Sequence, residues 1–203
     1  MLKKSYRIIQ IFAENPTKSY LFSEIKKKIC SKSESYTYNS INSFVKEGIL
    51  IKEQKGNLMF YKISNTYPAI SFLSLVKEYV SWDNKKLPLD IIFDLIQKVK
   101  INFFTLLITG SYVNGKQSSK SDLDVILIVP IDTKKVMARL KHFCDMSIPK
   151  IHLYVFTDDE FKQMLLGDKH NYGKEIVKNN LIFCGAETYY NVLFEVMKHG
   201  FSY

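Results

Sequence analysis

Cysteine is scarce in this chain and nowhere paired by spacing. Cys30, Cys144 and Cys184 lie far apart with no C-x-x-C among them. That excludes a disulfide-stapled scaffold and reads as small buried or free thiols in a reducing cytoplasm. No apolar run approaches the roughly 20 residues that a bilayer span requires, so no membrane partner is expected. Met1–Ser5 leads into a mixed polar pattern, unlike a secretory leader. His142, His170 and His199 show no metal-ligand spacing with one another or with the cysteines. No internal repeat or low-complexity tract is present. What remains is a globular composition, 46% hydrophobic and 14% aromatic over 203 residues. That length holds one large or two small domains with real cores, and a cytoplasmic soluble protein is expected.

Charge of one sign is unevenly spread. Residues 1–66 carry 12 Lys and Arg against 5 Asp and Glu, a net of +7, whereas residues 67–203 carry 17 against 15, a net of +2. Such asymmetry points to a polyanion partner for the first part or to a solvated basic face that keeps the protein soluble.

The first 66 residues read as three short helices and a hairpin. Ile8, Ile9, Ile11 and Phe12 mark one apolar helix face, ended near Asn15-Pro16 because the residue before proline disfavours helix. Leu21, Phe22, Ile25 and Ile29 mark a second, with Lys26-Lys27-Lys28 on the opposite side. A third helix is expected from about Ser35 to Glu47, with Ile41, Phe44 and Val45 inward and Gly48 as its stop. Ile49–Glu53 and Leu58–Ile63 read as strands joined by a Lys55-Gly56-Asn57 turn. In this order the segment resembles the winged-helix repressors of bacteria and archaea. The resemblance implies that the third helix enters the major groove, presenting Tyr36, Thr37, Tyr38, Asn39, Ser40, Asn42 and Ser43 to DNA. Lys52 and Lys55 on the wing would then sit near phosphates. Asparagine pairs with adenine, and no arginine is available on this helix for guanine. The other reading of this domain is dimerisation or packing on its neighbour.

Residues 67–87 read as a helical connector that is also a candidate for dimerisation, with Trp82–Lys86 as a polar loop. From 88 onwards helix and strand alternate. Strands are expected at Phe103–Thr109, Leu123–Val129, Ile151–Phe156 and Leu181–Cys184, and helices at Thr133–Cys144, Asp158–Leu166 and Glu187–Lys198. A Gly110-Ser111 turn follows the first of these strands and leads into a short helix. After nine residues Ser121-Asp122-Leu123-Asp124 opens the second strand. On a strand, side chains at i and i+2 share a face, so Asp122 and Asp124 are expected to converge. Two such charges are costly unless a cation lies between them. Oxygen-only ligation suits Mg²⁺, which takes one or two carboxylates plus substrate phosphates. The Gly-Ser turn offers backbone N–H groups to a phosphate.

This compound motif looks like the signature of the DNA polymerase beta-like nucleotidyltransferase superfamily, closest in size to the minimal nucleotidyltransferases of prokaryotes, over residues 88–185. The resemblance implies a mixed-sheet α+β nucleotidyltransferase fold and transfer of a nucleoside monophosphate from an NTP to a hydroxyl or phosphate acceptor. It implies that Gly110 and Ser111 hold the triphosphate, with Ser121 orienting the loop or touching phosphate, and that Asp122 and Asp124 hold Mg²⁺. Lys116 and Lys120 on the loop would either neutralise phosphate or be solvated.

One residue type is missing. Active members usually carry a third carboxylate on a later strand, but Lys150–Phe156 contains no Asp or Glu, and His152 takes the inward polar position. Asp158, Asp159 and Glu160 follow Thr157 as an acidic first turn behind a helix cap. The tail from Gly173 through Tyr189-Tyr190 resembles the C-terminal part of archaeal winged-helix nucleotidyltransferase-like proteins, and the tyrosine pair reads as packing. Three functions follow: an Mg²⁺-dependent transferase with a DNA-binding domain, a winged-helix regulator sensing nucleotide without turnover, or an antitoxin with a toxin partner.

Overall fold

The computed structural model describes residues 3–118, 120–130 and 132–202. Met1 and Leu2, which begin the segment read against a leader, lie outside the described residues, as do Ser119 of the loop between the motif halves, Ile131 and Tyr203. The protein is α+β, with two separate sheets among the described residues. It divides into a unit of residues up to Lys77 with Ser202 and a unit of Glu78–Phe201.

In the first unit, helices α1 (Tyr6–Glu14), α2 (Phe22–Lys28) and α3 (Glu34–Lys46) precede the hairpin β2 (Leu50–Lys55) and β3 (Leu58–Ile63). Ile8, Ile9 and Phe12 of α1, Ile25 of α2 and Ile41 and Phe44 of α3 are buried at helical spacing. The hairpin closes through Gly56-Asn57, with Gly56 at φ +60°, where a primed turn needs a positive φ. A strand the sequence did not announce, β1 (Tyr20–Leu21), pairs with β3 and gives the order β1-β3-β2. The helix α4 (Tyr67–Trp82) continues through the boundary between the units. Its Phe72 joins an aromatic cluster with Tyr6 and Phe44. Trp82 ends α4 and does not lie in a polar loop: its ring meets Phe183 edge-on at 4.9 Å and its indole N–H donates to the Phe183 carbonyl at 2.8 Å. A buried indole seeks such a partner.

The second unit is a four-stranded mixed sheet covered on both faces. Its strands are β4 (Thr105–Thr109), β5 (Leu123–Val129), β6 (Ile151–Thr157) and β7 (Leu181–Cys184), in the order β6-β5-β4-β7. β5 and β6 are parallel, and the other pairs are antiparallel. Leu123, Val125, Leu127 and Val129 point to one face and pack on α5 (Leu89–Val99) and α6 (Thr133–Met146). Leu107, Ile126, Ile128 and Ile182 are buried on the other face. The helices α7 (Asp158–Leu166), α8 (Tyr172–Lys178) and α9 (Ala186–Lys198) belong to that side, with α7 in contact with β5 and β6 and α9 with β4. Because every second residue of β5 meets one helical layer and the rest meet the other, the strand reads as a continuous apolar run. Tyr189 and Tyr190 of α9 are both buried.

Thr157 and Glu160 close α7 reciprocally. The Thr157 hydroxyl accepts from the Glu160 N–H at 3.1 Å, and the Glu160 carboxylate accepts from the Thr157 N–H at 2.8 Å. Replacing Thr157 with Ala is expected to lower unfolding free energy by about 1 kcal/mol in urea titration.

Candidate active site

The two halves of the motif meet at one end of the second sheet. Thr109 of β4 lies opposite Asp124 of β5, and Asp124 lies opposite His152 of β6. Directly opposed residues project to the same side, so Thr109, Asp124 and His152 form a row across three strands. Asp122 sits one residue before β5, not within it. Both carboxylates face the same imidazole: His152 Nε2 is 3.7 Å from Asp122 Oδ2, and Nδ1 is 3.7 Å from Asp124 Oδ1. Burial raises the Asp124 carboxyl above its ordinary range, His152 draws it back, and the Asp122 charge pushes it up again.

Gly110 lies against that carboxylate. Its φ is +77°, and a Cβ there would stand 2.2 Å from Asp124 Oδ2. Only glycine lets the backbone approach this closely in this conformation. The next residues, Gly110–Tyr112, make one 3-10 turn, in which the N–H groups of Val113 and Asn114 donate to the Gly110 carbonyl at 3.2 Å. Ser111 is half-buried in this turn, and its carbonyl accepts from the Lys116 N–H. Ser121 holds the loop: its hydroxyl accepts from the Ser118 N–H at 2.9 Å, and its carbonyl accepts from the Tyr112 hydroxyl at 3.4 Å.

Three further residues complete the neighbourhood without having been legible as site residues. Asn179, just past α8, donates its amide to Asn114 Oδ1 at 2.6 Å, and its carbonyl accepts from the Thr109 hydroxyl at 2.7 Å. The turn that follows β4 is therefore tied to the end of α8. Tyr154 follows His152 by two residues on β6, hence on the same face, and its ring centroid lies 5.0 Å from that of Tyr172 at the start of α8. The alternation along β6 placed Tyr154 beside His152 in principle, but α8 had no signal strong enough to bring Tyr172 to it.

Among the described residues no group of three or more His, Cys, Asp or Glu is disposed to hold a metal ion. Two carboxylates with oxygen donors still fit Mg²⁺ that arrives with a substrate's phosphates, because the protein then supplies only one or two ligands. An imidazole is a poorer partner for so hard a cation.

In the first unit, Tyr36, Tyr38, Asn39 and Ser43 are exposed on α3, while Ser40 and Asn42 are half-buried. Thr37 is not available to a partner. It is wholly buried, and its hydroxyl lies 2.9 Å from both the Ser33 carbonyl and the Ser31 hydroxyl. Tyr38 meets Phe22 edge-on, and the Ser43 hydroxyl donates to Glu47 at 2.7 Å. Lys52 is opposite the buried Tyr61, whereas Lys55 lies over the ring of Phe60. Alternation along β2 therefore puts the two lysines on opposite faces of the hairpin. Among the described residues no helix is long and apolar enough to cross a membrane.

In comparisons with known proteins, no family model matches this chain and no curated protein does.

Proposed function

We propose that the second unit is a nucleotidyltransferase domain that binds an NTP with Mg²⁺ and transfers its nucleoside monophosphate to a hydroxyl acceptor, and that the first unit is a winged helix-turn-helix that binds duplex DNA. One observation carries the first part: Gly110 is pressed against the Asp124 carboxylate, so the Gly110-Ser111 turn and an acidic pair share one sheet end. Backbone N–H groups of the Gly110–Tyr112 turn and the Ser111 hydroxyl bind the β- and γ-phosphates. Asp122 and Asp124 would hold Mg²⁺, which supplies charge neutralisation on the attacking and leaving oxygens. The acceptor oxygen bonds to the α-phosphorus, the bond from that phosphorus to the bridging oxygen breaks, and pyrophosphate leaves with the electron pair. The acceptor proton passes to the His152 imidazole. Release of labelled pyrophosphate from an NTP in Mg²⁺ tests this reading.

A second reading, nucleotide sensing without turnover in a DNA-binding regulator, is favoured by His152. It faces both aspartates, and the resemblance implies a third carboxylate on this strand in active members of that superfamily. Nucleotide binding without pyrophosphate release would select it.

For the first unit, the net charge of +7 over residues 1–66 and the exposed Asn39 and Tyr38 support DNA as the polyanion. Charge reversal at both Lys52 and Lys55 is expected to weaken binding to any duplex about tenfold or more and to flatten its salt dependence. Titration of labelled DNA at several salt concentrations reads both. Unchanged affinity would remove the wing from the interface.

A further inference from the structure

Beside the carboxylates stands an aromatic pair that the proposed reaction has not used. Tyr154 is 37% exposed, and its ring is packed at 52° to that of Tyr172. Tyr172 is held in place by three contacts. The Asn171 side chain accepts from the Lys174 N–H at 3.2 Å and donates to the Met164 carbonyl at 2.6 Å. Gly173 then brings the backbone so close to α7 that a Cβ would lie 2.7 Å from Met164 Cβ. The far end of α8 is tied to β4 and its turn through Asn179. Seven helical residues rise about 10 Å, which matches two interstrand steps of about 4.8 Å. α8 thus reaches β6 at its start, through Tyr172, and β4 just past its end, through Asn179.

This arrangement gives the site two sides. Gly110 touches Asp124 from the β4 side, and His152, Tyr154 and Tyr172 lie on the β6 side. In an in-line displacement the attacking and leaving oxygens stand on opposite sides of the transferred phosphorus. If pyrophosphate leaves along the Gly110–Tyr112 turn, the acceptor enters from β6. β6 is an edge strand, and His152 and Tyr154 on it are exposed. A half-exposed aromatic face offers stacking to a planar ring.

We infer that Tyr154 and Tyr172 form the acceptor wall of the site and select an acceptor whose ribose hydroxyl is attached to a nucleobase, either a free nucleoside or the end of a single-stranded nucleic acid. This rests on the nucleotidyl-transfer reading. In the reaction the ribose oxygen gains the bond to the α-phosphorus, pyrophosphate departs, and the hydroxyl proton goes to His152.

The test titrates the full chain, in Mg²⁺, with the α,β-methylene analogues of the four common NTPs, and then with adenosine or a six-residue oligoadenylate. Tyr154→Leu is expected to weaken nucleobase-probe binding at least tenfold, with Tyr154→Phe restoring it and analogue affinity unchanged in both. Adenosine binding as well as the oligonucleotide identifies a nucleoside site, and binding of the oligonucleotide alone identifies a strand end. Equal loss of analogue affinity in Tyr154→Leu would place the tyrosines against the NTP and overturn the inference. So would a wild-type chain that binds analogue but neither probe, or a Tyr154→Leu chain that binds the probes as wild type does. A wild-type chain that binds no analogue overturns the transfer reading itself, and the acceptor wall with it.

Discussion

Replacing Asp124 with Asn is expected to abolish Mg²⁺-dependent nucleotide binding, by about 100-fold or more, while leaving the fold at least as stable as the wild type. The loss follows from removing one of two carboxylates that would ligate the cation, which in turn neutralises the phosphates, an effect of several kcal/mol. The stability gain follows from the direction of the Asp124 titration. Its carboxyl is raised in the folded state, chiefly by burial. A raised acid costs stability wherever it is ionised in both states, and the cost disappears as pH falls below the unfolded carboxylate range of about 4. The amide introduced by Asp124→Asn is never ionised, so the variant should melt higher than wild type at pH 7 and lose that advantage towards pH 4. Thermal melts across this range check the sign. A variant that melts lower at pH 7 would mean that the contact with His152 outweighs burial.

Gly110→Ala is the second large effect. At φ +77° an L-residue costs about 1–2 kcal/mol. The added Cβ also meets Asp124 Oδ2 at 2.2 Å, and overpacking of that kind costs about 1–3 kcal/mol more. Gly115 supplies an internal control, because its φ is +66° but nothing lies within 4 Å of a Cβ there. Gly115→Ala should show the backbone cost alone in urea unfolding. Gly110→Ala should exceed it and should also lose nucleotide affinity through displacement of the Asp124 carboxylate. Equal unfolding energies for the two variants would deny the close approach of turn and carboxylate.

Much of the second sheet was legible because its signals are local. Val125–Val129 is a continuous apolar run with a layer of helix on each side, and the Gly-Ser turn and Asp-x-Asp announced the sheet end where they meet. The strand Leu181–Cys184 and the helix Asp158–Leu166 fall where the sequence placed them. The misses are short or depend on tertiary structure. β1 has two residues, too few for any period, and exists because β3 offers an edge. α8 has seven residues of mixed polarity and is fixed by Asn171 and Gly173 against α7 rather than by its own pattern. The winged-helix resemblance turns Thr37 towards DNA with the rest of the third helix, but the structure buries it. It stands at i with Ile41 at i+4 and Phe44 at i+7, on the buried stripe, and its hydroxyl is satisfied within the turn. That Asn179 and Tyr172 reach the site rests on their long-range contacts with Thr109 and Tyr154, which no local pattern encodes.

On the proposed reading, the paired aspartates and the turn at Gly110 hold a triphosphate through Mg²⁺. Calorimetric titration of the full chain with ATP, CTP, GTP and UTP, in Mg²⁺ and again in EDTA, decides it. At least one nucleotide should bind in Mg²⁺, and that binding should vanish both in EDTA and in the double variant Asp122→Asn, Asp124→Asn. No binding of any of the four in Mg²⁺, or binding that survives the double variant, would contradict it.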